Sequence, residues 1–219
     1  MSTLLRILQL SSPTLPIGAY AYSQGVESAV HRGHVVDEPT AYEWLKDVLM
    51  HGLLYNDMAL VAHFYRAWEA ADAERLARLA QLSTALRETH ELKQEDLHVA
   101  KALMRLADPL GVDLSLYSGR ALTYPLVFAG FAQQWHSGLK DSLTAFTWSW
   151  VENQVAAMIK LVPLGQTQGQ ILIMKMDAEI EKAIEAVMVL AEEEIGSGLP
   201  GFAILSCQHE TQYTRLFRS

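Results

Sequence analysis

The chain has 219 residues, half of them hydrophobic and 19% charged, with a formal net charge of −8. That length and apolar content support one compact domain with a buried core and exclude disorder over the whole chain. The acidic balance excludes general binding to nucleic acid or to anionic membrane, both of which need clustered Lys and Arg. A single cysteine, Cys207, has no partner for an internal disulfide, which fits a reducing compartment. The start Met-Ser-Thr-Leu-Leu-Arg has no long apolar run or cleavage site, and no stretch approaches 18 apolar residues. The expectation is a soluble, cytoplasmic protein.

In chain order, residues 3–10 read as a short apolar helix, followed by a loop with two prolines and a glycine that ends at Gly18. Ala19 opens a predicted helix that reaches about His31, and Gly33 to Glu38 is a turn with Asp37 as N-cap and Pro39 near the first helical position. Thr40 to Ala71 is helical in pattern, with a break expected near Tyr55-Asn56-Asp57. Trp44, Val48, His51 and Tyr55 trace one face of its first piece, and Leu60, Phe64 and Trp68 one face of its second. Asp72 caps the next helix, where Leu76, Leu79, Ala80, Leu82 and Leu86 keep the period. Residues 87–107 are the most charged part of the chain and keep apolar positions at Leu92, Val99 and Leu103. After a break at 108–113 and a loose stretch at 114–119, helices are predicted from about Arg120 to Trp135 and from Leu139 to Val162.

Trp148 to Gln170 is the most distinctive stretch. Val151, Val155, Met158 and Val162 form one line along a helix, and Ser149, Asn153, Ala156 and Lys160 form the opposite line. Pro163 ends that helix. Gln166, Thr167, Gln168 and Gln170 then make an amide-rich turn with hydrogen-bonding capacity and no acid–base group. Ile171–Met176 reads as a further apolar helix, Asp177 as the start of another through Ile180, Ile184, Val187 and Ala191, and Phe202–Cys207 as a last segment. No β-alternation of useful length is present. The fold class is all-α, a single domain over 1–219 of roughly ten helices.

The pattern is poor in catalytic chemistry. No phosphate-cradling glycine loop, Gly-x-Ser-x-Gly elbow or Cys-x-x-Cys pair occurs. Glu95 and His98 match the Glu-x-x-His of helical metal sites but lack the second copy such sites need, so a solvated helix face is the plainer reading. Cys207 and His209 offer two soft-metal ligands, against the plainer reading of a buried thiol beside a surface histidine. No catalytic, cofactor or metal residue is assigned. Lys160 on an apolar helix must reach water or a carboxylate, at a helix end or at an interface. The tail 209–219 sets Tyr213, Leu216 and Phe217 among Arg215 and Arg218, the residue types that dominate binding hot spots. It reads as a docking element that gains order on binding, or as a tail folded back on its own core.

Five blocks carry a family resemblance: Leu10-Ser-Ser-Pro-Thr-Leu-Pro-Ile-Gly-Ala-Tyr-Ala-Tyr-Ser-Gln-Gly-Val-Glu27, Arg87-Glu-Thr, Trp150-Val-Glu-Asn-Gln-Val, Lys160-Leu-Val-Pro-Leu-Gly-Gln166, and His209 to Ser219. Taken together and in this order, they resemble the UreF family of urease accessory proteins. Cys207 is not part of that pattern. The resemblance implies an all-helical homodimer that is not an enzyme and carries no cofactor. It would bridge UreD (UreH in some systems) to the GTPase UreG and modulate the GTP-dependent insertion of nickel into apo-urease. On this reading Tyr213, Arg215, Leu216, Phe217 and Arg218 face UreD. Glu27, Lys160 and Gln166 face UreG, with Glu27 and Lys160 serving partners and not folding. Segments 1–18 and 209–219 would depend on partners for their order. Two other classes remain alongside it: a generic helical scaffold and a helical metal-dependent enzyme, both unrelated to urease.

Overall fold

Asp37 starts the first long helix as a cap should. Its side chain accepts from the Thr40 amide at 3.0 Å, and Thr40 Oγ1 accepts from the Asp37 amide at 3.1 Å, with Pro39 in the first turn. In the computed structural model, which describes residues 2–219, every regular element is helical. The α-helices are α1 (Thr3–Leu10), α2 (Val26–His31), α3 (Glu38–Val48), α4 (Ala59–Glu69), α5 (Ala73–Ala85), α6 (His90–Met104), α7 (Tyr124–Gln134), α8 (Leu139–Leu161), α9 (Gln166–Val189) and α10 (Pro200–Glu210). Short 3-10 turns lie at Ala19–Ala21 and Glu192–Glu194. The chain exposes 10376 Å², close to the roughly 10,000 Å² of one compact fold of this mass.

α4 and α7 form the centre. α4 is buried on almost every side, and Phe64 on it packs in the same core as Phe128 and Phe131 on α7. The two helices approach at Gly130, where an added Cβ would sit 2.6 Å from Leu114 and 3.0 Å from the Trp68 ring. α6 covers α7, α8 packs on α9, and α3 lies against α9. Gly169 does for α8 and α9 what Gly130 does for the centre, since a Cβ there would meet Ile159 at 2.5 Å.

Five expected boundaries moved, each for a physical reason. The helix expected from Ala19 to His31 is split, because Gln24 and Gly25 adopt left-handed conformations with φ of 50° and 82°. No break occurs near Tyr55-Asn56-Asp57. Residues Leu49–Met58 instead widen into a π-helical stretch that joins α3 to α4. Asn56 and Asp57 are occupied by distant partners and do not turn on their own backbone. Asn56 bonds both main-chain groups of Ser197, and Asp57 accepts from Arg87 at 2.6 Å. The amide-rich turn is the first turn of α9, whose Gln168 side chain accepts from the Gly165 amide at 2.8 Å. Asp177 starts nothing, since α9 runs unbroken for 24 residues. α7 begins at Tyr124 and not Arg120, with Pro125 in its first turn and the Tyr124 amide donating to Asp96 at 2.8 Å.

Candidate partner-docking site

The left-handed turn at Gln24-Gly25 aims α2 so that Glu27 points inward. Glu27 is 6% exposed, which corrects the expectation that it serves partners and not folding. Its carboxylate accepts from the amides of Leu216 at 2.6 Å and Phe217 at 2.8 Å, and His209 Nε2 lies 3.2 Å away. The other ring nitrogen of His209 is 2.7 Å from Glu91, which also accepts from Arg215 at 2.7 Å. The buried ring is thus held between two carboxylates, one at each nitrogen. One residue on, Glu210 accepts from the His90 and Glu91 amides, filling the free donors at the start of α6.

The far end of the tail is pinned as firmly. Ser219 is 1% exposed, and its main-chain oxygen accepts from the Ser23 amide at 2.8 Å and the Ser23 hydroxyl at 2.5 Å. The Arg218 amide donates to Ala21 at 2.9 Å, and Ser219 Oγ donates to Glu95 at 2.7 Å. Phe217 is buried beneath Lys160, whose ammonium stands 5.4 Å from the ring centroid. Between these pins Tyr213 is fully exposed and Leu216 is 62% exposed. Residues 211–218 are therefore a loop clasped at both ends, with its apolar tips turned outward.

Behind the clasp lies a cavity of about 100 Å³, walled by Tyr20, Gln24, Asp57, Arg87, Glu95 and Trp150 among others. Burial works against the Arg87 charge, but Asp57 and Asp96 at 2.6 and 3.2 Å outweigh it and hold the guanidinium above its ordinary range. Burial pushes the Glu95 carboxyl up to about 7, against the opposing hydrogen bonds from Ser219 and from Gln24 at 2.6 Å. The α8 motif closes the same wall. Trp150 donates to Gln24 at 2.7 Å, Asn153 to the Tyr22 carbonyl at 3.2 Å, and Glu152 accepts from Tyr20 at 3.0 Å.

The five sequence blocks, dispersed from Leu10 to Ser219, thus meet in one region. Lys160 and the tail residues come together at Phe217, while Gln166 lies exposed in the first turn of α9 and takes no part in the clasp. Cys207 and His209 separate: the thiol is exposed and the imidazole fully buried, the reverse of the plainer sequence reading. Glu95 and His98 also part, Glu95 to Ser219 and Gln24, His98 to the Tyr22 hydroxyl at 3.3 Å. Glu95 is not on a solvated face, being 7% exposed, whereas His98 is exposed as the plainer reading expected. Among the described residues no group of three or more His, Cys, Asp or Glu side chains is arranged to hold a metal ion. Sequence reasoning missed Glu91, His209 and Ser219 as organisers. The Arg87 and His209 blocks were the available signal, but nothing linear joins Glu27 to residues 182 and 190 positions away.

An all-helical chain whose dispersed motifs assemble around a clasped, outward-facing aromatic loop is, as a class, a protein built to present a contact surface. The UreF family model matches residues 35–177. Proteins named urease accessory protein UreF from Alkalilimnicola ehrlichii, Pseudoalteromonas translucida and Azoarcus sp. are 43%, 42% and 42% identical to it. Those matches cover 98%, 99% and 99% of this chain and 95%, 94% and 95% of the relatives. The chain belongs to the UreF family. No helix among the described residues is long and apolar enough to cross a membrane.

Proposed function

We propose that this chain acts in urease maturation as a cytoplasmic, non-catalytic adaptor. A homodimer of it binds a UreD-like (UreH-like) protein and the GTPase UreG, and the assembly inserts nickel into apo-urease in a GTP-dependent step. Nickel is cargo here, and no residue of this chain is assigned to hold it. The observation that carries the reading is the clasped tail. Tyr213 and Leu216 are displayed to solvent, and the tail reaches Lys160 at Phe217, so surfaces for two partners adjoin. Tyr213, Arg215, Leu216, Phe217 and Arg218 serve the UreD-like protein, and Lys160 with Gln166 serves UreG. Glu27 acts on that side through the tail it shapes.

Apolar side chains left exposed on α1 (Leu4, Leu5, Leu8) and on α9 (Ile171, Met174) support further contact surface for a second copy and for partners. Segments 1–18 and 209–219 complete their order when those contacts form. The test is co-purification of tagged chain with UreD-like and UreG-like proteins and apo-urease, with and without GTP. Capture of both accessory proteins, and urease activation that fails without this chain, is the expected result. Capture of neither sinks the adaptor reading.

A further inference from the structure

Beneath the tail, three carboxylates meet one guanidinium. Arg87 pairs with Asp57 at 2.6 Å and with Asp96 at 3.2 Å, so its charge is already shared between two acids. Glu95, the third, is 7% exposed, and among the described residues it forms no ion pair. Its two oxygens are not equivalent. Trp150 Nε1 can only donate, and it donates to Gln24 Oε1 at 2.7 Å, so the Gln24 amide nitrogen is the end that meets Glu95 Oε1 at 2.6 Å. A proton on Glu95 therefore belongs on Oε2, 2.7 Å from the hydroxyl of Ser219. The other charged groups around this seat are occupied. Glu27 and Glu91 hold His209, Arg215 meets Glu91, and Glu152 accepts from Tyr20. His98 meets the Tyr22 hydroxyl, Lys160 stands over Phe217, and the Arg218 side chain is exposed.

We infer that the seat of residues 218–219 is a proton-operated latch: protonated Glu95 keeps Ser219 seated, and ionised Glu95 drives the segment off so that water reaches the carboxylate. Both forms can bond Ser219, since its hydroxyl donates to a carboxylate and accepts from an acid. What changes is charge. Ionised Glu95 adds an uncompensated buried charge to a cluster whose cation is already shared, and hydration relieves it. Burial raises the Glu95 carboxyl from 4.5 to about 7, and the pull of Arg87 on it is opposed by Asp96. The seat is thus fully held below 4.5 and weakens as pH rises to about 7. Little else holds it: the Arg218 amide bonds Ala21, and the Ser219 main-chain oxygen bonds Ser23. Leu216 and Phe217 keep their separate anchor on Glu27, so the release stops there. The inference does not depend on the adaptor reading.

The experiment follows hydrogen exchange of the Arg218 amide by NMR in the full-length chain from pH 5.5 to 8, corrected for the intrinsic pH dependence of exchange. Amides of α4 serve as the core reference, and the Glu95 carboxyl resonance reports its own titration. Arg218 protection should fall about tenfold or more between pH 5.5 and 7.5 and level off above the Glu95 midpoint. It should stay about a hundredfold or more below that of α4 throughout, which marks the opening as local. In Glu95→Gln it should vary by less than about threefold. Constant protection in wild type overturns the inference, as does a pH dependence that survives in Glu95→Gln. Protection equal to that of α4 also overturns it, because release then requires global unfolding. The carboxyl titration needs no variant, so a Glu95 midpoint near the ordinary 4.5 sinks the latch even if Glu95→Gln folds poorly.

Discussion

Replacing Glu95 by glutamine should make the protein more stable at alkaline pH and leave it nearly unchanged in acid. Burial raises the Glu95 carboxyl from the ordinary 4.5 to about 7 in the folded chain. Between those two values the folded state holds a proton that the unfolded state has released, so stability falls as pH rises through this window. A gap of about 2.5 at 1.36 kcal/mol per unit is about 3 kcal/mol, already net of the hydrogen bonds from Ser219 and Gln24. Glutamine keeps the shape. Its carbonyl can accept from Gln24, and its amide can donate to Ser219 Oγ, so both contacts survive without the buried charge. At about 2–4 °C per kcal/mol for a chain of this size, the variant should melt about 6–12 °C above wild type at pH 8. The two should converge near pH 4.5. The assay is thermal denaturation by circular dichroism from pH 4.5 to 8 at constant ionic strength. Subtracting the two curves cancels the other titrating groups. A flat difference, or one that grows toward acid, refutes the buried, proton-holding Glu95.

Three further outcomes follow from the same geometry. Glu27→Ala leaves two tail amides and the buried His209 ring without their shared carboxylate, a break that costs about 3–5 kcal/mol. Melting should fall by about 6–20 °C, and an unchanged melting curve would return Glu27 to a purely surface role. Lys160→Ala gives up one exposed cation–π contact of about 0.5–1 kcal/mol, so melting should drop by only about 1–4 °C while urease activation weakens; a large drop in melting would make Lys160 structural. Light scattering at micromolar concentration should give about twice the chain mass of 24.4 kDa, and a clean monomer without partners would count against the homodimer.

Much of the helical layout was legible because local rules decide it. Asp37 with Thr40, Asp72 accepting from Arg75, and Pro163 after α8 are caps and stops that act within a few residues. The errors lie where a distant partner overrides the local signal. Asn56 and Asp57 look like turn residues until Ser197 and Arg87 take their side chains. Asp177 looks like a cap because nothing local reveals that α9 continues through it. The site shows the same division. Composition marked the tail for contact, and its exposed Tyr213 and Leu216 fit that reading. Its clasp depends on Glu27, Glu91 and Glu95, whose partners lie more than a hundred positions away. Periodicity carries no information at that range.

This division changes how substitutions near the tail should be read. A carboxylate that only touches a partner can be removed at little cost to the fold, whereas Glu27 is the acceptor around which two backbone amides and a buried ring are arranged. Lost partner capture in a Glu27 variant therefore does not place Glu27 in an interface, because the loop that carries Tyr213 and Leu216 has lost its shape. Arg87 is in the same position one layer deeper. It ties Asp57 on the π-helical stretch to Asp96 on α6, beside the Glu95 that holds Ser219. The side chains that speak directly for docking are those with nothing else to do inside the chain: Tyr213, Leu216 and Arg218. Their truncation should separate binding from folding, and the contrast with Glu27 is what distinguishes a shaped loop from a sticky tail.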